Sequence, residues 1–179
     1  MPVRSPYGSM VPDRLDDTLV NDVHSQLNAT RVAAIVRPSS VDELSAAVEA
    51  ARRAERSVCV AGGRHAMGGQ QFVEDGLLVD TRGLDRVLAF DEERGIIHVE
   101  GGVQWPALLR YLDEVQAGRS HQWGIFQKQT GADRLSIGGA LACNAHGRGL
   151  TLGPIVQQVE SFDLVGPGGD VRRLSLIHI

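Results

Sequence analysis

The front of the chain alternates short apolar runs with a helical repeat. Ala33-Ala34-Ile35-Val36 is closed by Pro38, as a short buried strand would be. Ser40-Val41-Asp42-Glu43 has the form of a capping box, with Ser40 as N-cap and Glu43 three residues on. Val41, Leu44, Val48 and Ala51 follow at helical spacing, which predicts an amphipathic helix to about Arg53. Val58-Cys59-Val60-Ala61 is a second short strand running straight into the glycine loop 62–69. Strand, helix, strand over this span predicts a βαβ unit with a parallel pair.

Beyond the loop the pattern changes. Leu77-Leu78-Val79, Val87–Phe90 and Ile96–Val99 are strand candidates, the last two joined by the polar turn Asp91–Gly95 and so expected to pair antiparallel. Trp105, Leu108, Leu109, Leu112 and Val115 make the apolar stripe of a helix with Pro106 in its first turn. Residues 117–130 are irregular. Ser136 opens the small-residue segment Ile137–Asn144, and a strand Val159–Val165, the turn Gly166–Gly169 and a returning strand close the pattern. The fold class expected is α+β, a small parallel βαβ subdomain followed by a mixed or antiparallel sheet with flanking helices. Residues 1–30 read as a lead-in and helix, 31–173 as the main domain and 174–179 as a separate tail.

Composition sharpens this. Lys plus Arg number 18 against 22 Asp plus Glu, aromatics are 4%, and no basic cluster appears, which argues against a nucleic-acid partner. Twenty-one glycines exceed the roughly 13 that average usage would give. They cluster at 62–69, 101–102, 138–153 and 166–169, where backbone must turn sharply or approach something closely. Cys59 and Cys143 read as two buried thiols in a reducing compartment. With no apolar leader and no apolar stretch of membrane-spanning length, a soluble, cytoplasmic protein is expected.

Two segments carry the chemistry. Ala61-Gly62-Gly63-Arg64-His65-Ala66-Met67-Gly68-Gly69-Gln70 directly follows a buried strand, so its N–H groups could cradle a phosphate; a plain strand-to-strand turn is the alternative. In Ser136-Ile137-Gly138-Gly139-Ala140, Ser136 can cap a helix whose amino end favours an anion, while close packing of helix on sheet would explain the same glycines. Gly147-Arg148-Gly149 with Gly153 misses dinucleotide spacing by one residue, and there is no GxxxxGK[ST] or GxSxG motif. Cys143 and His146 lack a second pair at ligand spacing, so no metal is expected. His24, His98, His121 and His178 are scattered and read as ordinary polar groups.

The order of these features, ending in Ser136-Ile137-Gly138-Gly139-Ala140-Leu141-Ala142-Cys143-Asn144-Ala145-His146-Gly147-Arg148-Gly149, resembles the vanillyl-alcohol-oxidase and cytokinin-dehydrogenase-like flavoproteins with a PCMH-type FAD-binding fold, over about Ala33–Arg173. The resemblance implies FAD as cofactor and hydride removal from a CH–OH or CH–NH carbon of a small-molecule substrate. It implies that the first loop, with Gly62, Gly63, Arg64, Ala66 and Gln70, wraps the FAD diphosphate, and that His65 bonds covalently to the flavin or stands beside it. The family's commonest loop reads Gly-His-Ser, whereas here Arg64-His65-Ala66 lacks that hydroxyl. Gly131, Ser136, Gly138, Gly139, Asn144 and Gly147 would line the diphosphate and ribityl chain, His146 would lie near the isoalloxazine, and Val159 near the adenine. An FAD-dependent reductase of the same fold and a non-catalytic nucleotide-binding module are the alternatives. By the same resemblance the domain is truncated at its carboxyl end, leaving an unpaired sheet edge, weak flavin binding and the substrate-activating base elsewhere. Leu174-Ser175-Leu176-Ile177-His178-Ile179 matches the translation of a transposase adapter end, which makes a non-native tail the expectation.

Overall fold

The computed structural model describes residues 18–129 and 131–175. Two minimal strands come first, β1 (Leu19–Val20) and β2 (Thr30–Arg31), paired antiparallel. The helix expected within residues 1–30 has no counterpart among the described residues 18–30; residues 1–17 lie outside the described residues, as do 176–179 of the expected tail.

A three-stranded sheet follows, built from β3 (Ala34–Val36), β4 (Val58–Ala61) and β5 (Leu77–Asp80), with helix α1 (Val41–Arg53) between β3 and β4. The βαβ unit is present, but β3 and β4 do not pair with each other. The spatial order is β3-β5-β4, and β5 runs parallel to both neighbours. Leu77-Leu78-Val79, whose pairing the sequence left open, thus stands between the two strands that were expected to form the parallel pair. Leu77, Leu78 and Val79 are all fully buried, and a continuous apolar run is what a central parallel strand covered on both faces requires. Leu77 and Val79 join Ala34, Val36, Ala47 and Ala51 under α1, while Leu78 packs with Val20, Val32, Cys59, Ala61 and Phe72 on the opposite face.

Helix α1 starts as the capping box implies, with Ser40 Oγ accepting from Glu43 N at 3.2 Å. The returning bond is shifted by one residue: the Glu43 carboxylate accepts from Ser39 N at 2.7 Å and from the Ser39 hydroxyl at 2.9 Å.

The second half is organised around helix α2 (Trp105–Val115) and the short helix α3 (Ile137–Ala142). Val103, Trp105, Leu108, Leu112, Ala140 and Ile155 form its core, while Leu109, expected on the apolar stripe, is substantially exposed. Hairpin β6–β7 (Val87–Asp91, Ile96–Val99) lays Val87, Phe90, Ile97 and Val99 against this core. Hairpin β8–β9 (Ser161–Val165, Val171–Ser175) is a separate antiparallel sheet whose turn reaches α1, Gly169 lying against the Ser45 carbonyl. Strand β8 begins two residues later than expected because Ile155–Gln158 forms a 3-10 turn. Strand β9 runs through Leu174 and Ser175, into the segment expected to be tail. Cys59 is buried as expected, but Cys143 is exposed, since it sits at the solvent-facing carboxyl cap of α3.

Residues 100–103 join the halves through backbone hydrogen bonds, with the Arg86–Glu100 ion pair beside them. Glu100 N donates to Arg86 O at 3.0 Å and Gly102 N to Leu84 O at 2.8 Å, while Gly101 O and Val103 O each accept at 2.8 Å from Gly138 N and Ile137 N. A Cβ on Gly102 would overlap the Thr81 carbonyl and lie 2.6 Å from Leu84 O. The pair Gly101-Gly102 is therefore a seam.

Candidate cofactor site

The carboxyl ends of β3, β4 and β5 bring together Arg37, the loop 62–69 and Thr81-Arg82. Crevices at the carboxyl ends of parallel strands are where such sheets hold ligands. Ala61 pairs with Asp80, so Gly62 and Thr81 leave neighbouring strands side by side. Asp80 is fully buried. Its carboxylate accepts from Arg82 Nε at 2.8 Å and Arg37 Nε at 3.1 Å, and Arg64 Nη2 stands 3.7 Å away. Burial opposes ionisation of Asp80, but the hydrogen bonds from Arg82 and Arg37 outweigh it and hold the carboxyl below its ordinary range. One anionic charge faces three guanidiniums, so this end of the sheet is net positive.

The loop is built to present donors. Arg64 has φ +58°, and a left-handed residue within a turn points successive N–H groups into a common concavity. Among the described residues, no N–H from Gly63 to Met67 meets an acceptor. Arg64 Nε is also buried without a partner, and the guanidinium lies over the Phe72 ring, 5.9 Å from its centroid. A buried donor without an acceptor costs about 1–3 kcal/mol. Arg64 Nε is such a donor, and with the neighbouring N–H groups that meet no acceptor, at a positively charged end of the sheet, it fits a diphosphate.

Two glycines let the halves meet here. A Cβ on Gly62 would overlap Ser136 Oγ, and one on Gly63 would overlap the Arg134 carbonyl and sit 2.7 Å from His65 Cδ2. The His65 ring is therefore packed against bare backbone, beside the Arg134 carbonyl. On the other side, His65 Nδ1 is 2.9 Å from His24 Nε2, with ring centroids 5.0 Å apart. Burial and the neighbouring His24 both push the His65 pKa down, against the pull of Arg134. His65 is accordingly neutral at pH 7.

The second glycine segment differs from the anion-facing expectation. Ser136 caps α3 by accepting from Gly139 N at 3.3 Å. Ile137 N and Gly138 N are taken by Val103 O and Gly101 O. No free donor remains in the first turn of this six-residue helix. Gly138 is there because a Cβ would come 2.9 Å from Gly101 O, the close-packing explanation for that residue. Gly139 has open space apart from the Ser136 hydroxyl at 3.0 Å.

Gly62, Gly63, Arg64, His65 and Ser136 thus form one cluster, flanked by Gly138 and Gly139. Ala66 and Gln70 lie exposed on the same loop. Asn144, His146 and Gly147 belong to a separate loop. Asn144, at φ +48°, accepts from Val156 N at 3.4 Å, the His146 ring donates to Gly147 O at 2.9 Å, and Gly147 N donates to Gln127 Oε1 at 3.2 Å. Val159 caps the 3-10 turn and packs against the second core. Gly131, at φ +94°, faces open space.

Sequence reasoning missed the segment Asp22–Asn28. Asp22, 2% exposed, accepts from His24 N, Ser25 N and the Ser25 hydroxyl at 2.6–2.8 Å and from Gly68 N at 3.2 Å. Val23 N donates to Arg64 O at 3.0 Å, and Asn28 Nδ2 donates to Gly68 O at 2.7 Å. An Asp with Ser three residues later is the usual sign of such a side-chain turn, but its distant partner, the glycine loop, was not readable from it. His24, read as an ordinary polar group, is in contact with His65.

Comparison with known proteins bears on the same region. The model of a family described as FAD binding domain matches residues 32–175. L-gulono-1,4-lactone dehydrogenase of Mycobacterium tuberculosis is 36% identical over 148 residues, 80% of this chain and 32% of that protein. Among solved structures, a BBE-like 1 variant of Physcomitrella patens gives a TM-score of 0.70 at 19% identity, covering 89% of this chain and 33% of that one. A xylooligosaccharide oxidase from Myceliophthora thermophila gives 0.69 at 22% identity, covering 98% and 34%. These likenesses show the fold, and the chain spans about a third of the length of the curated relative.

Proposed function

The chain belongs to the FAD binding domain family and its cofactor is FAD; from that premise we propose that it is the flavin-holding part of an oxidoreductase that takes hydride from a CH–OH carbon of a sugar or sugar lactone. The observation that carries this reading is the run of N–H groups from Gly63 to Met67 that meet no acceptor among the described residues, beside the buried Arg64 Nε. A diphosphate is the part of FAD whose chemistry answers those donors.

FAD supplies the two-electron acceptor, and the chain supplies binding, orientation and charge. Gly63–Met67 hold the diphosphate through backbone N–H groups, and Arg64 adds a cation that is largely withdrawn from water, with a side chain 19% exposed. Arg37 and Arg82 stabilise the buried Asp80 carboxylate. That leaves Arg64, the most distant of the three, freest to turn to the anion. Gly62 and Gly63 bring Ser136 and the Arg134 carbonyl against the loop and close its open side. His65, whose ring meets His24 at 2.9 Å, is the residue we assign to the flavin ring, bonded to it covalently. The sugar or lactone class rests on the 36% identical lactone dehydrogenase.

The test is a scan of the acid-denatured, filtered full-length protein for yellow colour. Colour that stays with the polypeptide and disappears in His65→Ala supports a covalent flavin. Colour that passes into the filtrate keeps FAD and makes His65 a non-covalent neighbour. Protein without flavin in either fraction after reconstitution would overturn the assignment.

A further inference from the structure

His65 Nδ1 lies 2.9 Å from His24 Nε2. A neutral imidazole carries one hydrogen, so across this contact one ring donates and the other accepts. The contact is fixed by more than the two rings. His24 follows Asp22, whose carboxylate gathers His24 N, Ser25 and Gly68 N, while Val23 N is bonded to Arg64 O, the residue before His65. Asn28 bonds Gly68 O at 2.7 Å. The segment Asp22–Asn28 thus grips the glycine loop on both sides of His65 and delivers His24 to its Nδ1.

We propose that His24 is a positioning residue for His65, donating to Nδ1 so that the ring meets the flavin in one tautomer and one orientation. This rests on the assignment of His65 to the flavin, and it adds a residue from outside the glycine loop. Since His24 is exposed, its replacement leaves the cores intact. The requirement is for a donor at this position and not for a particular shape.

Two substitutions in the full-length protein separate these possibilities. In His24→Gln a side-chain N–H can still donate to Nδ1. In His24→Glu the carboxylate can only accept, so Nδ1 must itself take up a proton. The first readout is the nitrogen-15 shift of His65 Nδ1 in flavin-free protein. We expect an unprotonated Nδ1 in wild type and in His24→Gln, and a protonated one in His24→Glu. The second is the rate at which flavin becomes acid-stable on the chain. We expect near wild-type rates with Gln and a rate that differs from them by roughly tenfold or more with Glu, which reverses the direction of the bond, the scale of one hydrogen bond in an activation barrier. An Nδ1 unprotonated in all three proteins, or equal rates with Gln and Glu, would overturn the role of His24. If even wild type never retains flavin, the covalent reading of His65 fails, while the nitrogen-15 comparison still decides whether His24 sets the tautomer.

Discussion

At the residue scale the glycines separate by what surrounds them. Gly63 is confined by the Arg134 carbonyl and the His65 ring, and Gly102 by the Thr81 and Leu84 carbonyls. Backbone cannot yield as a side-chain tip can, so alanine at either position should cost about 1–3 kcal/mol in overpacking. Gly131 has a positive φ but open space, so alanine there should cost only the left-handed penalty of roughly 1–2 kcal/mol. Thermal unfolding of the three variants checks the stability order, and flavin content should fall most in Gly63→Ala, because there the clash displaces His65 itself. Asp22 adds a pH dependence. The Ser25 hydroxyl foremost, with N–H groups of Ser25, His24 and Gly68, holds its carboxyl far below the ordinary range. A carboxyl depressed in the folded state stabilises above its unfolded pKa of about 3.9 and loses that contribution as pH falls below it. Asp22→Asn should therefore show a flatter acid limb than wild type in denaturation followed by pH.

Among elements, legibility depended on whether the determining contacts were local. Helix α1, helix α2 and hairpin β6–β7 were readable because a cap, an apolar stripe and a polar turn each lie within a few residues of what they determine. The placement of β5 between β3 and β4 was not, although its unbroken apolar run carried the hint. Nor was the engagement of Ile137 N and Gly138 N by Val103 and Gly101, partners more than thirty residues away. The irregular segment after α2 is another such case, held by glutamines whose roles no spacing announces. Gln116 donates to Leu112 O and Trp123 O and accepts from Trp123 N. Gln127 bonds Gly153 O and Gly147 N, and Gln129 accepts from Trp105 Nε1. Trp123 in turn donates to Glu92 O at 2.7 Å and covers Gly95 in the β6–β7 turn. Gln116 is 3% exposed, so Gln116→Leu leaves the Trp123 N–H and the Trp123 carbonyl without their partner, while Leu112 O keeps its bond from the backbone N–H of residue 116. We expect a loss of about 1–3 kcal/mol, and faster amide exchange from Trp123 to Gln129 than in β5 of the same protein.

Across the whole molecule, the parallel sheet and the α2–α3 layer have separate apolar cores and meet largely through backbone. The seam consists of residues 100–103 and the approach of Gly62 to Ser136 and Gly63 to Arg134. The candidate cofactor cradle lies at this seam, with its donors on the sheet side and Ser136 and Arg134 on the other. A ligand that binds only the closed arrangement stabilises both halves together, by about 2.7 kcal/mol at a hundredfold excess over its Kd. FAD should therefore raise the unfolding midpoint of the full-length protein as a single transition, in which amides of β5 and of α2 gain protection together. Gly62→Val should remove the coupling without touching any donor in 63–67, because its side chain would occupy the position of Ser136 Oγ. In that variant FAD should protect β5 and leave α2 unprotected. Protection of both elements in Gly62→Val, measured by amide exchange with and without FAD, would show that the halves are joined by residues 100–103 alone. It would also show that the Gly62–Ser136 contact contributes packing and no coupling.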